Sequence, residues 1–185
     1  MADELEYLES ELWGRFFIDI FEEIIIPCYE VFQKNGLITT WSTLQENKSN
    51  FNCFCLIQSM VLISTANNFP KLYKQKDVLM FMKIMAKDYR DTEVLGTDSY
   101  GYDEEEIRKD IHNKFFRYED ALLDATKKNL EDSKEIAKIA FEPYESILKK
   151  RGQYELQKKK LHLSFLESYS LIKDTLPSIA QRHQA

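Results

Sequence analysis

Between Leu5 and Val31, apolar side chains recur at Leu5, Leu8, Leu12, Phe16, Ile20, Ile24, Cys28 and Val31, every step three or four residues long. That spacing keeps one face of an α-helix apolar along the whole run, and a β-strand, with its period of two, cannot use it. Trp13, Phe17, Phe21 and Ile25 widen the stripe, so this helix is predicted to pack on two neighbours. Pro27 has no N–H, and its ring crowds the carbonyl four residues back, which predicts a kink near Glu23. Asn35-Gly36 supplies the stop, because glycine accepts the left-handed conformation that closes many helices.

The same logic extends along the chain. Residues 39–50 are polar, with at most a short helical turn around Trp41 and Leu44. Phe51 to Asn67 is apolar almost all round, broken only by such residues as Asn52, Gln58 and Ser59, and reads as the central helix of a bundle. Its most apolar part, Phe51 to Ile63, falls well below the ~20 residues that a bilayer span needs. Asn67-Asn68-Phe69-Pro70 ends it, and a helix over roughly 71–90 is expected next. Gly96 to Asp103 is the clearest loop. Asp103 and Glu106 then resemble a capping box for a helix carrying Ile107, Ile111, Phe115, Tyr118, Leu122 and Ala125. A break is predicted near Asn129–Ser133, a kink or restart at Pro143, and a stop at Arg151-Gly152. The last helix is expected over about 153–174, with Pro177 ending it and Ser178–Ala185 a frayed tail.

The expected fold is therefore all-α: one helical bundle of about five to seven helices over residues 1–177. Five glycines and four prolines in 185 residues suit long helices, and 24 aromatic side chains provide a core without metal or disulfide. Cys28, Cys53 and Cys55 are odd in number and follow no signal-peptide pattern, which points to free thiols and a reducing, cytoplasmic setting.

The spacing of the reactive residues argues against the common catalytic and ligand-binding patterns. A di-metal bundle site needs Glu three residues before His, but Lys109, Lys159 and Ala180 precede His112, His162 and His183. Cys53 and Cys55 are wrongly spaced for zinc, and residues two apart on a helix face away from each other. No glycine pair leads into Lys-Ser or Lys-Thr, no Gly-x-Ser-x-Gly occurs, and the acids of 91–106 fit no calcium-loop register. No metal, cofactor or catalytic residue is assigned. His112 and His162 read as boundary residues.

Charge carries what functional signal there is. The net charge of −6 disfavours nucleic acid and anionic membranes as partners. Acids dominate residues 1–30 and 91–110, and tyrosines beside charge make good interface anchors. The candidate partner-binding set is accordingly Asp98, Tyr100, Tyr102, Asp103, Glu104 and Glu105. Opposed to it is a basic patch of Lys149, Lys150, Arg151, Lys158, Lys159 and Lys160 about a turn at Gly152. The leading expectation is a protein–protein interaction module, an acidic inhibitor or immunity-type protein for a basic partner, because complementary charge speeds encounter and fixes register. The alternatives are a helical enzyme or small-ligand binder whose site assembles only in three dimensions, and a nucleic-acid binder acting through the basic 149–160 hairpin.

Overall fold

Helical periodicity in the sequence becomes helices in space. The computed structural model describes residues 16, 19–38, 44–71, 104–142 and 144–183, with the backbone alone over 44–48 and 104–108. A π-helical turn at Phe21–Ile25 leads into α1 (Ile26–Lys34). It is followed by α2 (Leu44–Asn68), α3 (Glu104–Lys127), α4 (Lys134–Phe141), α5 (Glu145–Lys150) and α6 (Tyr154–His183). The described residues contain no strand, and the chain is an all-α bundle. The helix expected over 71–90, the loop at 96–103 and the stripe from Leu5 to Leu12 lie outside the described residues.

The π turn has a local cause. Pro27 enters the first turn of α1, and one turn earlier the backbone widens so that the Ile26 N–H reaches Phe21 O, five residues back. Widening there makes room for the ring against the Glu23 carbonyl, at the predicted position of the kink. Ile24, Ile25, Cys28 and Phe32 are buried on the inner face. Gly36 closes α1 with φ +74°, its N–H donating to Gln33 O (2.9 Å) while Leu37 N–H donates to Phe32 O (2.9 Å).

Helix α2 is the centre of the bundle, touching α1, α3, α4 and α6. Cys53, Cys55, Leu56, Ile57, Met60 and Val61 are all buried. It starts at Leu44 rather than Phe51, which corrects the expected start of the helix; residues 39–43 lie outside the described residues. The polar residues of its first turns are used where α4 ends. Ser49 Oγ donates to Ala140 O (3.1 Å), and Asn52 Nδ2 donates to Ile139 O (3.2 Å). These are terminal carbonyls of α4 that its own backbone cannot satisfy. Tyr118 from α3 is buried against the same helix, its hydroxyl donating to Asn52 O (2.7 Å).

The predicted break between α3 and α4 is made by Asn129 and Leu130, both with left-handed φ (54° and 61°), and Leu130 N–H donates to Ala125 O (2.8 Å). Helix α4 stops at Phe141 and the chain restarts at Glu145; Pro143 itself lies outside the described residues. Glu142, at the negative end of α4, is held by Arg117 (2.6 and 3.2 Å) and Lys114 (3.3 Å) of α3. Those bonds keep its carboxyl below the ordinary value of 4.5. Gly152 (φ +66°) ends the α5 turn, as expected.

Helix α6 corrects the expectation of a stop at Pro177 and a frayed tail from Ser178. It runs through Pro177 to His183. Pro177 and Lys173, whose carbonyl loses its helical donor, both face solvent, where water replaces the missing bond. The opposite face keeps Leu176, Ile179 and Ala180 buried. Burying a leucine or isoleucine is worth roughly 1.5–3 kcal/mol each, enough to offset a proline cost of about 3 kcal/mol. The end of the helix is fastened to the start of the described chain. Arg182 Nη2 donates to both Glu23 oxygens (2.7 Å), and His183 Nε2 lies 2.8 Å from Asp19 Oδ2.

Candidate interaction surface

Helix α3 turns Ile111, Phe115, Tyr118, Leu122 and Ala125 inward. Its outer face would ordinarily be polar throughout. Instead Phe116 and Leu123, seven residues apart and therefore two turns along one face, are 53% and 56% exposed. Glu119 and Asp120 lie between them, one on either side, and Lys109 and Lys127 bracket the row. All four charged residues are exposed and make no ion pair among the described residues. Of the other charges of α3, Lys114 and Arg117 are paired with Glu142, and Asp124 with Lys128 (3.0 Å). The Phe116 ring is steadied by edge contacts with His112 (4.8 Å) and Phe115 (5.8 Å). The result is an exposed apolar row with acids at its middle.

Of the residues proposed from sequence, Asp98, Tyr100, Tyr102 and Asp103 lie outside the described residues. Glu104 and Glu105 open α3, the helix whose later turns bear the apolar row. The charge and tyrosines that single out residues 98–105 do not point to Phe116 and Leu123. A signal for Phe116 and Leu123 was available: with the inward stripe of α3 assigned, both fall on the opposite face.

The basic patch is less free than its composition suggests. Lys149 is held by Glu145 (2.7 Å), which raises its ammonium above the usual value, and stands 5.0 Å over the Tyr154 ring. Lys158 pairs with Glu155 (3.6 Å), and Arg151 donates to the Tyr144 hydroxyl (3.0 Å). Lys150, Lys159 and Lys160 make no ion pair among the described residues. Lys159 projects from α6 between Leu156 and Leu163, which are 54% and 58% exposed.

Chemistry is sparse elsewhere. His162 Nδ1 lies 2.9 Å from the buried Ser133 hydroxyl, and among the described residues neither it nor His112 bonds a carboxylate, whereas His183 faces Asp19. The Ser133 contact ties the start of α4 to α6. A cleft of about 140 Å³, walled by Ser49, Asn50, Tyr144, Leu148, Gln153 and Gln157 among others, contains no histidine or carboxylate. The three cysteines are buried, and burial pushes the Cys28 thiol up to about 11 and Cys53 to about 12, so neither is a ready nucleophile or ligand. Among the described residues no three His, Cys, Asp or Glu side chains converge as a metal ion requires, and no helix is long and apolar enough to cross a membrane. Comparison with protein families, with curated proteins and with solved structures finds no match to this chain.

Proposed function

We propose that this chain is a protein-interaction module that docks through the outer face of α3. The observation that carries the reading is the exposure of Phe116 and Leu123 on one face with Glu119 and Asp120 between them. Two large apolar side chains left in water are unfavourable in the free chain and become favourable when a partner covers them. The flanking acids call for a partner with apolar side chains set beside lysine or arginine, which keeps the expectation of a basic partner and moves its site along the helix. Neutralisation of such a partner, as in an acidic inhibitor, fits the two acids set within the apolar row.

The test is capture from the native cell with the tagged chain and with a Phe116→Ser/Leu123→Ser variant. One stoichiometric partner, either another protein or an untagged copy of the chain, is expected with the first and not with the second. Both positions are exposed, so the variant is expected to melt like the parent. Retention of every partner by the variant sinks the reading.

A further inference from the structure

Two exposed faces of this molecule carry the same pattern with opposite charge. On α3, apolar, acidic, acidic, apolar and basic residues follow at Phe116, Glu119, Asp120, Leu123 and Lys127. On α6, apolar, basic, basic, apolar and acidic residues follow at Leu156, Lys159, Lys160, Leu163 and Glu167. The offsets are identical: zero, three, four, seven and eleven residues, which lie along one helix face. Nine of the ten side chains are exposed. Lys160 is half-buried, its ammonium 4.0 Å from where a Cβ on Gly36 would stand. None of the six charged residues makes an ion pair among the described residues. Within one chain the two rows do not meet, since α4 packs against both helices and both rows are open to solvent.

From this match we infer that the partner of the α3 face is a second copy of the chain, which presents its α6 face in parallel register. Phe116 and Leu123 would then lie against Leu156 and Leu163, the two acids against the two lysines, and Lys127 against Glu167. The last pair selects the orientation, because in the antiparallel arrangement Lys127 and Glu167 fall at opposite ends of the contact. Charges flanking an apolar seam choose partner and direction in the same way in paired helices. The contact joins unlike faces, so it is heterologous: each copy has one donor row and one acceptor row. This inference rests on the reading of α3 as a docking face and names what occupies it.

Sedimentation of the full chain across a range of concentrations is expected to show reversible self-association that weakens as salt screens the charges. Glu119→Lys with Asp120→Lys, and separately Lys159→Glu with Lys160→Glu, should each weaken it by about tenfold or more, since like charges then oppose. A mixture of the two variants should recover it, because every reversed row then meets its complement. Lys159→Glu alone, at an exposed position, keeps the test valid if the double change at Lys160 disturbs folding. A chain that is monomeric throughout, association indifferent to both reversals, or a mixture without recovery overturns the proposal. The α3 reading fails separately, if the Phe116→Ser/Leu123→Ser chain still captures every partner. A monomer that loses a different protein on that substitution keeps the docking face and refutes self-association.

Discussion

Gln58 sits in the middle of the most apolar helix, is 1% exposed, and finds no hydrogen-bond partner for either its Oε1 or its Nε2 among the described residues. Leaving an amide buried and unpaired costs about 1–3 kcal/mol relative to pairing it. Met has nearly the same length and no polar terminus, so Gln58→Met is expected to stabilise the fold by about 1–2 kcal/mol. Urea titration measures this directly, and a lower midpoint for the variant contradicts it. Asn52 and Ser49 interrupt the same helix in sequence but have opposite roles, because each donates to a carbonyl at the end of α4. All of these residues are polar interruptions when read along the chain. Which ones are satisfied depends on a helix about ninety residues away, and no local pattern records that.

At the scale of elements, much was legible. The four-residue spacing of Ile20, Ile24 and Cys28 predicts a buried face, and those residues are buried. Pro27 predicts a local distortion and a π turn precedes it; Gly152 predicts a stop and provides one. The misreadings share one cause. Polar residues ahead of Phe51 and a proline at 177 argue locally against helix, and tertiary burial overrides both. That override leaves a measurable residue of cost in α6. Pro177→Ala restores a donor for the Lys173 carbonyl on an exposed face, so it should stabilise the protein by about 1–3 kcal/mol, within the general cost of an interior helical proline. Calorimetry should find a higher melting temperature. An unchanged or lower one would mean that the local backbone had already adapted to the ring. The candidate surface was legible only in part, because its apolar members are conspicuous by facing away from the core.

For the whole molecule, the buried acids share one direction of response to pH. Burial raises Cys28 from 9.0 to about 11, Cys53 from 9.0 to about 12 and Tyr29 from 10.0 to about 12, and it also raises Cys55 and Tyr118. The folded chain keeps protons that the unfolded chain releases, so stability is intact below pH 9.0 and falls as pH rises towards the folded values. Each such group steepens the fall by about 1.4 kcal/mol per pH unit. Guanidinium midpoints are expected to drop sharply above pH 9.0, and Cys53→Ala should flatten the decline. A midpoint constant up to pH 11 would contradict the burial of these groups.

Helix α6 packs on the π turn, α1, α2, α4 and α5, and at 30 residues it is about 45 Å long. Its bonds reach far back along the chain: Asn35 to Ser164 spans 129 residues, Cys28 to Ser168 spans 140, and Arg182 to Glu23 spans 159. During synthesis at roughly 5–20 residues per second, α1 therefore waits about 6–30 seconds for the helix that covers it. The order of manufacture sets the hazard. The apolar face of α1 emerges before its main cover, α6, so the nascent chain passes through a sticky interval that the finished protein does not have.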